Sequence, residues 1–176
     1  MAERRHLPVL SNDPPPADSK PEDDEARPPW HWVGFGTVAI FAGWLPLAYV
    51  AGAVSAKVMA NRFGADASKD AIDLALSAMT SGERAQLMAT VALPSLLGLA
   101  LAAFGGGFVV GRFGSATGAR EAAMSGGVTA FIASAMAYAG LTAATFIAAA
   151  VTFAVAIGFA AWGGRFGASR RPRAAA

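Results

Sequence analysis

Few residues in this chain have a claim on chemistry. Asp66, Asp70 and Asp73 fall in one hydrophilic stretch, with Glu83 close behind. Several carboxylate oxygens together suit a hard divalent cation. Yet no glycine-punctuated calcium loop surrounds these aspartates, and no histidine lies nearby. At helical spacing they form the solvated face of a short helix, the usual fate of such a stripe. The two histidines, His6 and His31, stand in an N-terminal tail and at the edge of the first apolar run. That leaves no zinc-protease helix, no histidine triad and no His/Asp metal cluster. The chain has no cysteine, which excludes disulfides, thiolate metal sites and thiol nucleophiles.

Glycines and hydroxyls are the remaining candidates. Gly105, Gly106 and Gly107 are followed by neither Lys-Ser nor Lys-Thr, so they make no phosphate loop. They end an apolar helix rather than a strand, which rules out a dinucleotide fingerprint. Ser134, Tyr138, Thr142, Thr145 and Thr152 would line an uncharged pore, or bond back to carbonyls four residues earlier. No catalytic, metal-binding or cofactor-binding residue emerges. The expectation is that the chain is not an enzyme and carries no cofactor.

The elements around these residues are dominated by one stretch. Ala122 to Gly164 contains no Asp, Glu, Lys, Arg or His over 43 residues. One helix needs only ~20 apolar residues to cross a ~30 Å hydrocarbon core, so this stretch reads as two crossings in a tight hairpin. Across the chain, 55% of residues are hydrophobic and 15% charged. The charges segregate to the first thirty residues, a central loop, a short turn and the last twelve residues. A soluble core would intersperse them at helical or strand period. The expected fold is all-α: an integral membrane bundle of four transmembrane helices at about 32–57, 85–110, 122–139 and 141–162, the alternative being three passes with 122–164 partly re-entrant. A short amphipathic helix, about 68–79, is expected in the first external loop, lying on the membrane surface. Pro46 and Pro94 fall inside the first two spans, where proline is tolerated as a kink.

Small residues recur every fourth position in the last two spans: Gly126, Ala130 and Ser134, then Ala150, Ala154 and Gly158. With Gly105, Gly106 and Gly107 they are the expected helix-packing residues, since small side chains let membrane helices approach closely. Thr142 is the expected N-cap after a return at Gly140. Trp30, Trp32, Trp162, Arg112 and Arg165 are expected anchors at the headgroup level. Asn61-Arg62-Phe63-Gly64, Gly111-Arg112-Phe113-Gly114 and Gly164-Arg165-Phe166-Gly167 repeat one exit: arginine at the headgroups, an aromatic at the interface, a glycine ending the helix.

The run Gly105 to Arg112, followed by Gly118, Arg120 and Gly126-Gly127, resembles a hairpin of uncharacterised small glycine-rich multi-pass bacterial membrane proteins. The resemblance covers about a fifth of the chain. It implies a multi-pass membrane protein and brings no catalytic residue.

The first 29 residues hold seven of the ten prolines and the acidic run Glu22 to Glu25. They read as a disordered cytoplasmic tail, because such a segment buries too little apolar surface to offset its ordering entropy. Residues 30–164 are the expected membrane domain and 165–176 a basic cytoplasmic tail. With both termini inside, ten Lys and Arg face the cytoplasm and four face outward, as the positive-inside rule favours. Arg outnumbers Lys by eleven to three, and Ala and Gly abound, a composition associated with GC-rich bacteria. The expected location is therefore the bacterial inner membrane. Expected partners are the lipid bilayer and copies of the chain or a larger membrane complex, with no nucleic acid. The expected role is a structural or accessory subunit; the alternative is a small channel or transporter subunit.

Overall fold

The computed structural model describes residues 30–114, 118–137 and 142–171. The N-terminal tail, the last five residues, Gly140 and Tyr138 lie outside the described residues. Five helices follow in order: α1 (Trp30–Phe63), α2 (Lys69–Ala78), α3 (Ser81–Phe113), α4 (Gly118–Met136) and α5 (Ala143–Ser169). The helical class and the bundle match the expectation.

Three of these helices, α1, α3 and α5, are long and apolar enough to cross a membrane. The helix α4 is not among them, so the structure supports three spans where four were expected. The cause is local. At 19 residues, α4 is about 28 Å long at ~1.5 Å per residue, and its first turn spends that length on Arg120 and Glu121. The helices α1 and α3 overrun their expected bounds at both ends, and α5 overruns its expected end. At 34 residues, α1 extends about 51 Å at the same ~1.5 Å rise.

Caps explain where helices begin and end. Gly64, at φ 94°, is the described residue with left-handed backbone, and it closes α1 with an N–H bond to Ala60 O at 2.8 Å. Ser68 Oγ accepts from Ala71 N at 3.2 Å to start α2. Thr80 and Glu83 form a capping box at the start of α3. Glu83 Oε2 accepts from Thr80 N at 3.0 Å, and Thr80 Oγ1 accepts from Glu83 N at 3.3 Å. Such reciprocal bonds satisfy donors that a helix start leaves open. Arg84 donates back to Leu76 O through Nε and Nη2, holding the end of α2 against the start of α3. The expected cap at Thr142 is present, with Thr142 Oγ1 accepting from Thr145 N at 3.1 Å.

Contacts fix the helix directions. Ile40 meets Gly106 and Leu47 meets Gly98, so α1 and α3 are antiparallel. Gly107 meets Ala160 and Gly111 meets Gly164, so α3 and α5 run parallel. Ala122 meets Gly164 while Gly126 meets Ala156, so α4 opposes α5. The start of α1, the end of α3, the start of α4 and the end of α5 therefore share one end of the bundle. All five expected anchors, Trp30, Trp32, Trp162, Arg112 and Arg165, lie toward that end. Trp30 and Trp162 are exposed there.

The bundle turns its large apolar side chains outward. Leu45, Tyr49, Leu101, Phe131, Phe146 and Ile147 are all exposed. The core is rich in small residues, with Ala103, Ala130, Ala156 and Ala160 fully buried beside Ile40 and Val110. Membrane helices pack this way, because lipid tails are as apolar as leucine and close backbone approach supplies the attraction. Ser55 Oγ donates to Val91 O at 2.8 Å, next to the carbonyl that Pro94 leaves without an amide.

Candidate functional site

Two features stand out: a polar, glycine-lined joint at the shared end and an apolar cleft toward the other. The joint exists because two of the three consecutive glycines each serve a different neighbouring helix. Gly106 lies against Ile40 of α1, Gly107 against the Ala160 carbonyl of α5, and Gly105 faces outward with open space beside it. Gly163 and Gly167 of α5 answer from the other side, against Phe104 and Phe108. A side chain at any of these inward positions would run into backbone.

The repeated exits take on structural meaning here. The copies at Gly111 and Gly164 lie side by side, Gly111 facing the Gly164 backbone while Gly164 faces α4. Arg112 Nη1 donates to Arg170 O at 3.3 Å, and Phe166 meets Phe104 and Phe108 with centroids 6.1 Å apart. The expectation that the exit's last glycine ends a helix holds for Gly64 and for Gly114, which caps α3. It fails for Gly167, which is buried inside α5. The boundary expected between residues 164 and 165 thus falls within a helix. Glycine ends helices when it is free to turn; here it is held between neighbours.

Behind the joint, polar groups are buried. Glu121, in the first turn of α4, is 2% exposed, and Ser125 and Thr129 are fully buried. Ser125 Oγ reaches two carbonyls, Val33 O on α1 at 3.0 Å and Glu121 O at 2.9 Å. Thr129 Oγ1 donates to Ser125 O at 2.9 Å, and Thr37 Oγ1 donates to Val33 O at 2.8 Å. A carboxylate oxygen of Glu121 faces Gly114, while Arg171 Nε donates to Gly111 O at 2.8 Å and its guanidinium passes Gly118. By sequence Glu121 falls in the short charged turn just before the uncharged stretch that begins at Ala122. Its spacing from Ser125 and Thr129, four residues each, was the available signal.

Ser125→Ala is expected to lower stability by ~1 kcal/mol, the usual net worth of one such hydrogen bond. Thermal unfolding of the detergent-solubilised protein measures it. Ser125 lies against Gly36 with no space to spare, so a larger residue there should cost more.

The remaining expected packing residues divide. Gly126 packs on the Ala156 backbone, Ala130 is buried with Leu99 and Ala156, and Ser134 is half-buried. Ala150, Ala154 and Gly158 are exposed, and nothing lies within 4 Å of a methyl placed on Gly158. Inside the chain α5 packs through Ala156, Ala160, Gly163, Gly164 and Gly167 instead.

The apolar cleft has a volume of about 340 Å³ and draws walls from four helices, with Trp44, Leu99, Ala133, Ser134, Ala149 and Thr152 among them. Trp44 Nε1 is buried with no acceptor among the described residues, a condition that costs on the order of 1–3 kcal/mol. A second cavity, of about 360 Å³, lies between α1 and α3 near Asn61, Arg62, Glu83 and Gln86. Among the described residues no group of three or more acidic, His or Cys side chains is placed to hold a metal ion. No family model, curated protein or solved structure matches the chain.

Proposed function

We propose that the chain is a polytopic membrane protein whose helices α1, α3, α4 and α5 all cross the bilayer, and that it serves as a structural or accessory subunit. Its termini would face the cytoplasm of a bacterial inner membrane, with the arginine-rich end of the bundle at that leaflet. The alternating directions of the four helices support four crossings. Buried on the inner face of the bundle, the polar groups of α4 would reach the membrane already bonded, which lets a less apolar helix cross.

The observation that carries the accessory role is the pair of small-residue faces on α5. One face is consumed by α3 and α4. The other, Ala150, Ala154 and Gly158, is left exposed by the described residues. A face of that kind suits a second membrane helix, from another copy or from a larger complex. The channel or transporter alternative gains less. The apolar cleft fits a hydrophobe better than an ion.

In-membrane cross-linking of the tagged full-length protein, with mass spectrometry of the products, tests the role. Gly158→Leu is expected to abolish cross-linked species while leaving the thermal unfolding midpoint near wild type. Unchanged association in Gly158→Leu and in Ala154→Leu would overturn it.

A further inference from the structure

The apolar cleft is what the packing argument leaves unexplained. Toward the shared end, glycines draw α3, α4 and α5 together; toward the other end the facing residues leave a space of about 340 Å³. Small residues form its walls, including Ala133, Ala137, Ala148 and Ala149. In a membrane bundle such residues ordinarily bring backbones into contact; here they enclose a space. The volume is more than twice the ~150 Å³ at which a dry apolar cavity already takes up a benzene-sized guest.

The lining states what kind of guest fits. No ionisable side chain contributes to it. Its polar groups are hydroxyls and the buried Trp44 indole N–H, and two of the hydroxyls are already engaged. Thr152 Oγ1 donates to Ala148 O at 2.8 Å, and the Thr145 hydroxyl shares a 2.7 Å bond with Thr142. A charged or strongly polar ligand would lose its water and find little in return. Trp44 and Leu99 lie near the middle of α1 and α3, two of the helices long enough to cross a membrane. At that depth the surrounding medium is hydrocarbon.

We propose that the cleft is a lipid site that seats one acyl chain of a bilayer lipid between α4–α5 and α1–α3. The proposal rests on the membrane reading above and goes beyond it by naming an occupant. The chain would fill the space and fix the splay of the α4–α5 hairpin. Lipid would thus act as a structural ligand rather than as solvent alone.

The test places the full-length protein in nanodiscs of phosphatidylglycerol and phosphatidylethanolamine doped with a lipid that carries a diazirine midway along one acyl chain. After photolysis, adducts are mapped by peptide mass spectrometry. Adducts are expected on cleft residues such as Ala133, Ala149 and Thr152, besides those on the exposed Leu101 and Phe131. Ala149→Phe, which fills the cleft, should reduce the cleft adducts several-fold and leave the outer ones unchanged. Ser134→Leu provides the same comparison should Ala149→Phe fail to fold. A protein that enters the nanodisc but carries adducts on its outer faces alone, or whose cleft adducts survive filling, would overturn the lipid site. A protein that does not enter the nanodisc would overturn the membrane reading and the site with it.

Discussion

Gly111→Leu should destroy the fold. A side chain at this position points into the Gly164 backbone, and a single methyl already meets its carbonyl oxygen. Overpacking a core usually costs ~1–3 kcal/mol, because side chains shift to make room. Here the obstacle is main chain, so two long helices must part. The contact is also shared, since Gly164 packs on Ala119 and Ala122 of α4. Separating α3 from α5 would therefore disturb α4 as well. A cost above ~3 kcal/mol is expected, beyond the ordinary overpacking range. Gly107→Leu, against Ala160, should behave alike. Gly105→Leu, which points into open space, is the matched control and should unfold near the wild-type temperature. Thermal unfolding of the three purified variants in one detergent reads the difference. Equal midpoints for Gly111→Leu and Gly105→Leu would show that α3 and α5 are not joined at this seam.

That seam also shows where sequence reasoning works and where it stops. The apolar periods revealed the helices, because a membrane-type helix needs long uncharged runs that little else produces. The Thr142 cap and the amphipathic α2 were legible for the same reason: each depends on a few adjacent residues. Which small residues face inward was not legible. On α5, Ala150, Ala154 and Gly158 make one stripe, and Ala156, Ala160 and Gly164 make another. Both repeat every four residues, so spacing cannot choose between them. The choice is made by α3, which presents Gly107 and Gly111 at matching height.

The helix ends failed for a related reason. Gly163-Gly164 reads as a stop when considered alone, yet it is held inside α5 by Phe104 and by α4. Glu121 reads as turn chemistry because charge usually marks a membrane boundary. It becomes helical and buried because Gly118 lies against Gly111, and that contact carries the start of α4 into the bundle. Each error traces to a tertiary contact at a glycine, where the sequence carries the least side-chain information.

Glu121 itself supports the second large expected effect. Its side chain is 2% exposed and sits against Gly114 in the corner that Arg171 also enters. Truncation and charge reversal should therefore act through different causes. Glu121→Ala removes buried volume and should cost ~2–4 kcal/mol, as large-to-small core changes do. Glu121→Leu restores most of that volume without the carboxylate. Such a replacement is neutral only when both charged partners go, and removing one alone is destabilising. Glu121→Leu leaves Arg171 in the corner, so this variant should still unfold below the wild-type temperature. Glu121→Lys brings a second cation into the corner with Arg171 and should prevent accumulation in the membrane. Unfolding midpoints for the first two and membrane yield for the third provide the measurements. If Glu121→Leu proves as unstable as Glu121→Ala, the carboxylate holds the corner together. If Glu121→Leu is stable yet loses the cross-linked partner, the carboxylate serves association. That outcome would accord with the rule that ionisable groups inside membrane bundles are retained for function rather than for stability.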